Sequence, residues 1–82
     1  MQSCPDFVLE LLSPHDTWEN LQLKMQEYQN QGTQLGWLID PILKKIKIYT
    51  SSQVVQKSKL PDCLSGENVL SGFLLDLKRI FP

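Results

Sequence analysis

The sequence is short of the residues and charge imbalances that usually announce a function. It has two cysteines and one histidine in 82 residues, and eight basic against nine acidic side chains leave a net charge of −1. That balance removes any global electrostatic case for nucleic acid or an anionic membrane, so a DNA contact must come from a local patch. Cys4 and Cys63 stand far apart, with no His or Cys near either at metal-ligand spacing. This excludes a thiolate zinc centre and reads as free thiols of a reducing compartment. The start, Met1-Gln2-Ser3-Cys4-Pro5-Asp6, lacks a basic segment, and Glu10 interrupts the apolar run behind it, unlike a signal peptide. The longest other apolar stretch, Leu35 to Leu43, is broken by Asp40 and Pro41 and falls far short of the roughly 20 residues that span a bilayer. A soluble cytoplasmic protein is expected, with no membrane partner.

What is present is globular: 41% hydrophobic and 21% charged residues, without repeats or low-complexity segments. A chain this short buries only about 60% of its unfolded surface, so stability is marginal and a partner or a further segment would help it. Phe7-Val8-Leu9-Glu10-Leu11-Leu12 is apolar on both alternating faces, the pattern of a central strand covered on two sides. Central strands have neighbours, and this one begins close to Met1, so the expectation is that the reading frame opens inside a domain.

From Trp18 to about Asn30 the period becomes helical, with Trp18, Leu21, Met25 and Tyr28 inside an arc of about 80° at 100° per residue. Asp16 followed by Glu19 resembles a capping box, and Gly32 suits a C-terminal cap. Leu35-Gly36-Trp37-Leu38-Ile39 reads as a second buried strand closed by Asp40-Pro41. Lys45-Ile46-Lys47-Ile48-Tyr49 alternates, which directs Ile46 and Ile48 to a core and Lys45, Lys47 and Tyr49 outward or to an edge. Its short link to the preceding strand predicts a hairpin. Gln53 to Gln56 adds a short edge strand, Lys57 to Asn68 reads as loop, and Leu70 to Phe81 holds a last apolar element of open type.

Glu10 stands out as the one charge in an apolar strand, because a buried carboxylate costs several kcal/mol unless it is paired or metal-bound. A salt bridge, an edge position and a site role all satisfy that requirement. Lys24 lies on the flank of the helical stripe, about 40° from Tyr28 at 100° per residue, and the strand, turn, helix order lets it approach Glu10. A solvated lysine is the ordinary alternative. His15 beside Asp16 reads as turn surroundings, Trp18 and Trp37 as core. Lys44, Lys45, Lys47, Lys57 and Lys59 are either a basic face toward phosphates or a solvated edge.

The run Pro5-Asp6-Phe7-Val8-Leu9-Glu10-Leu11-Leu12-Ser13-Pro14, the helix with Lys24 and Tyr28, Gly32, and Trp37-Leu38-Ile39-Asp40-Pro41 resemble the Uma-two family of restriction endonucleases. The tail from Leu64 to Phe73 resembles that family's closing segment. His15 and Thr33 depart from the pattern, which has a small polar residue and an aliphatic there. The resemblance implies an α+β PD-(D/E)XK fold, a mixed sheet packed against one main helix with a short C-terminal element, acting on DNA with Mg²⁺. It assigns Glu10 as metal ligand and catalytic carboxylate. Leu12 stands where that motif has its lysine, and Lys24 from the following helix takes that part. The family's other metal-binding Asp lies on an earlier strand. Asp6 does not replace it, since four strand residues of about 3.3 Å each put it roughly 13 Å from Glu10 along the chain.

Residues 1–82 are therefore expected to form one truncated domain, the C-terminal part of a metal-dependent DNA endonuclease. The second carboxylate would come from an absent N-terminal segment or from another chain, a homodimer included. The alternative is a non-catalytic remnant or small interaction module that keeps the nuclease-like fold.

Overall fold

The structure, a computed structural model, describes residues 5–57, 63–65, 72 and 74–77. In chain order it runs β1 (Phe7–Leu11), α1 (Trp18–Asn30), β2 (Leu35–Asp40), β3 (Lys45–Thr50), β4 (Val54–Lys57), β5 (Cys63–Ser65) and β6 (Leu74–Asp76). The first four strands form one mixed sheet in the order β1-β2-β3-β4, with β1 parallel to β2 and the other neighbours antiparallel. Strands β5 and β6 pair with each other, antiparallel, as a second small sheet. The architecture is α+β, as expected.

Parallel neighbours need a crossover, and α1 supplies it between β1 and β2. The helix starts where Thr17, in an extended conformation, accepts the Asn20 amide on its hydroxyl at 3.2 Å. Thr17 is thus the N-cap in place of Asp16, whose carboxylate turns back to Ser13. The helix ends as expected at Gly32, whose φ of 107° is open to glycine. The Gly32 amide bonds the Gln29 carbonyl and the Thr33 amide the Tyr28 carbonyl, the paired closure of a Schellman motif.

The sheet is covered on both faces. Trp37, Leu35, Ile39 and Ile46 pack with Leu64 and Leu77 on one side, where Phe7 meets Trp37 edge to face at 4.9 Å. On the other, Leu21 and Met25 of α1 pack on Leu38 and Tyr49, flanked by Val8, Leu12, Trp18 and Tyr28. All of β2 is buried for that reason.

Three expectations change. Strand β1 lies at the edge of the sheet among the described residues, with Leu9 and Leu11 exposed, and not at its centre. The Lys45, Lys47 and Tyr49 face is not an open face: α1 lies on it, so Tyr49 is buried and the two lysines reach out past the helix. Residues 63–65, expected in a loop, form β5, because Leu64 is needed to cover the sheet. The apolar C-terminal segment contributes β6 at Leu74–Asp76 and the buried Leu77, while residues 70, 71, 73 and 78–81 of it lie outside the described residues.

A carboxylate and a lysine meet at the edge strand

Alternation along β1 puts Val8 and Glu10 on the helix side and Phe7, Leu9 and Leu11 on the other. Glu10 sits opposite Leu38 of β2, beneath α1. On α1, Lys24 immediately precedes the buried Met25 and lies one turn before Tyr28, so it overhangs the outer flank of the sheet. Its Nζ stands 2.8 Å from Glu10 Oε1, with 49% of the lysine and 25% of the glutamate side chain exposed.

That position depends on a close approach of helix and sheet. Gly36, next to Val8 across the sheet, has no side chain, and a Cβ there would lie 2.5 Å from Met25 Cε and 3.1 Å from Val8 Cγ2. The absent side chain lets Met25, and the lysine before it, settle onto β1 and β2.

The Lys24 ammonium is held above its usual titration range, chiefly by its hydrogen bond and charge attraction to Glu10, with smaller help from Tyr28 and Asp16. It is therefore a cation at neutral pH. A protonated lysine donates hydrogen bonds and positive charge; it does not accept a proton from water. A shallow cleft of about 200 Å³ beside it is lined by Lys24, Glu27, Tyr28 and Gln31.

The other carboxylates have different occupations. Asp6 accepts the Gln34 side chain at 3.3 Å, while its carbonyl accepts the Gln34 and Leu35 amides, so it fastens the start of β2. Asp16 Oδ2 accepts the Ser13 amide at 3.1 Å and the Ser13 hydroxyl at 2.7 Å, which lowers its pKa. Asp40, read from sequence as a strand terminator, is buried on the face that carries Glu10, one strand over and two residues on. Its Oδ1 accepts the Ile42 and Leu43 amides, each at 3.0 Å, and so closes the β2–β3 turn.

Mg²⁺ takes six oxygen ligands at about 2.1 Å, of which protein usually gives one or two carboxylates. Among the described residues no three of His, Cys, Asp and Glu come together to hold a cation. With Glu10 Oε1 also taken by an ammonium, these residues do not fit a self-contained Mg²⁺ site. His15 is exposed in the turn before the helix. Lys45 Nζ lies 4.3 Å from the Trp18 ring centroid and Lys47 bonds Gln22, so both lysines are engaged with α1. Lys59 and Cys4 lie outside the described residues; Cys63 is an exposed free thiol. No helix among the described residues is long and apolar enough to cross a membrane.

The profile of a family described as "Putative restriction endonuclease", Uma-two, matches residues 1–78. A crystal structure of a "putative nuclease" from Anabaena variabilis superposes with a TM-score of 0.80 at 29% identity over 95% of this chain. The match spans 44% of that longer chain. No curated protein matches.

Proposed function

The chain belongs to the Uma-two family, whose description is "Putative restriction endonuclease", and from that premise we propose that Glu10 and Lys24 are one half of a phosphodiester-hydrolysing site that acts on DNA. The observation that carries the proposal is the 2.8 Å pairing of the lone charge in β1 with a lysine from α1. An ordinary solvated lysine has no need to reach across to the edge strand. In this reading Lys24 is the residue that orients the attacking water and meets the negative charge that grows on the phosphate, as fixed cations do in phosphoryl transfer. Glu10 holds the ammonium in place and is the carboxylate this half contributes.

Hydrolysis with the Mg²⁺ that the family resemblance implies requires at least one more carboxylate, from beyond the described residues or from another chain. The shortfall in donors supports the second reading, a nuclease-like module without catalysis.

Purified chain, incubated with supercoiled plasmid in Mg²⁺ or Mn²⁺, separates them. Cleavage that disappears in Glu10→Gln supports the nuclease. No cleavage, together with a Glu10→Gln variant that changes neither metal binding nor stability, removes it in favour of the non-catalytic module.

A further inference from the structure

The turn between β2 and β3 has features that joining two strands does not call for. Asp40 is buried beneath it and accepts the Ile42 and Leu43 amides on Oδ1, each at 3.0 Å, while Pro41 fixes the first backbone angle of the loop. The loop is tied down in this way and closes on Lys44, whose φ is 55°. That left-handed conformation is strained for a lysine and relaxed for glycine or asparagine. At the tip Ile42 is 75% and Leu43 66% exposed, side by side, where turn residues are ordinarily small or polar. A strained residue kept at an exposed position points to function.

The tip is also cationic. Lys44 is exposed, and Lys45, whose Nζ stands 4.3 Å from the Trp18 ring centroid, holds a second ammonium at the base of the turn. Asp40 is the one acidic residue between Leu35 and Leu60, and it is buried. Strands β1 and β2 run parallel, so the turn leaves the sheet at the end toward which Glu10 lies, and Ile42 is four residues beyond Leu38, the residue opposite Glu10. Four residues span at most about 14 Å, the length of about four base pairs at about 3.4 Å each.

We propose that this turn is a DNA wedge: Ile42 and Leu43 press between base pairs from the minor groove, and Lys44 and Lys45 meet the phosphates beside the opened step. Paired aliphatic side chains on a fixed support suit the unstacking of a base step, and flanking cations suit the backbone it displaces. Lysine at position 44 keeps a cation beside the tip, which glycine cannot do. An anionic bilayer offers similar charge, but a tip two residues wide falls short of the apolar face that holds an interfacial helix, and the reach to Glu10 fits a duplex. The inference rests on the reading that the chain acts on DNA and adds how the duplex is held. Its test makes no use of cleavage, so a turn that fails it leaves the Glu10–Lys24 reading to its own assay.

Binding of a labelled duplex of about 20 base pairs, followed by fluorescence anisotropy in EDTA, is expected to weaken at least about tenfold in the double variant Ile42→Ser, Leu43→Ser. Its urea midpoint is expected to stay at the wild-type value, because both side chains are exposed. Lys44→Gly is expected to raise the urea midpoint by relieving the left-handed backbone, yet to weaken binding and lower its salt slope by about one. Duplexes carrying 2-aminopurine report unstacking directly, and wild type is expected to raise their fluorescence at least about twofold. A smaller loss of binding in the double variant overturns the proposal. So does 2-aminopurine fluorescence that wild type leaves unchanged, or binding to phosphatidylserine vesicles that depends on the turn when duplex binding does not. The 2-aminopurine arm uses wild type and stands even where the double variant fails to fold.

Discussion

Gly36 is where the packing beneath the proposed site is most sensitive to a single carbon. In Gly36→Ala the new Cβ falls 2.5 Å from Met25 Cε, 3.1 Å from Val8 Cγ2 and 3.7 Å from Tyr49 Cβ. The Met25 methyl is the end of a flexible chain and moves by changing rotamer, at a cost of about 0.5–1.5 kcal/mol, while Val8 must give by a few tenths of an ångström. Overpacking of this kind costs about 1–3 kcal/mol, and replacing glycine within a strand returns about 0.5–1 kcal/mol. The net expectation is a loss of about 1 kcal/mol for Gly36→Ala and about 3 kcal/mol for Gly36→Val. With a urea slope near 1 kcal/mol/M for a chain of this size, the alanine variant moves the urea midpoint down by about 1 M. Met25→Leu in the Gly36→Ala background shortens the obstructing side chain and restores about half the loss. A Gly36→Ala variant as stable as wild type, or more so, would refute the claim that this glycine sets how closely α1 approaches β1 and β2.

The remaining predictions test the capping, electrostatics and pairing. Thr17→Ala removes the side chain that accepts the Asn20 amide and should lower stability by about 1 kcal/mol in urea melts, whereas a capping role for Asp16 would make Asp16→Ala the costlier change. Asp16 has a lowered pKa through its bonds to Ser13, so its contribution is present above the unfolded value and lost as pH falls through the folded one; NMR titration should place it below 3.8, and Ser13→Ala should move it back up. Lys24 has a raised pKa, so its contribution is complete below the unfolded value of about 10.5 and lost only as pH rises through the folded one, leaving stability insensitive to titration of Lys24 near neutrality. A double-mutant cycle of Glu10→Gln with Lys24→Met should give a coupling of about 0.5 kcal/mol, the size expected of a part-exposed pair, and a value above about 2 kcal/mol would mark it as a structural linchpin.

Periodicity revealed the elements that bury a stripe or alternate cleanly. The helix from Trp18 to Asn30, strands β2 to β4 and the glycine closure at Gly32 follow from local pattern. What local pattern does not carry is which neighbour an element has. Phe7 to Leu12 is apolar on both faces, which reads as a central strand, yet among the described residues β1 sits at the edge and leaves Leu9 and Leu11 half exposed. The alternation of β3 showed that Lys45, Lys47 and Tyr49 share a face, but α1 crosses back over that face and buries Tyr49. Strand β5 is three residues long and reaches its partner across residues outside the described ones, too short for any period to show. Asp16 and Thr17 compete for the same cap, and Ser13 decides between them by binding Asp16. For the site, the lone charge in an apolar strand and the flank position of a lysine pointed to Glu10 and Lys24, and the structure brings the two into contact. Asp40 on the same face was not legible as a neighbour, because that follows from the parallel register of β1 on β2.

The central claim, that the pair serves chemistry more than folding, is tested most directly by measuring plasmid cleavage and urea stability side by side in wild type, Glu10→Gln and Lys24→Gln. A positioned catalytic group is worth about 10²–10⁴ in rate, while a part-exposed ion pair is worth under about 1 kcal/mol in stability. The account predicts that each variant loses cleavage by at least about 100-fold while its urea midpoint shifts by less than about 1 M. Variants that cleave as wild type does, or that lose cleavage only in proportion to lost folded protein, would contradict it.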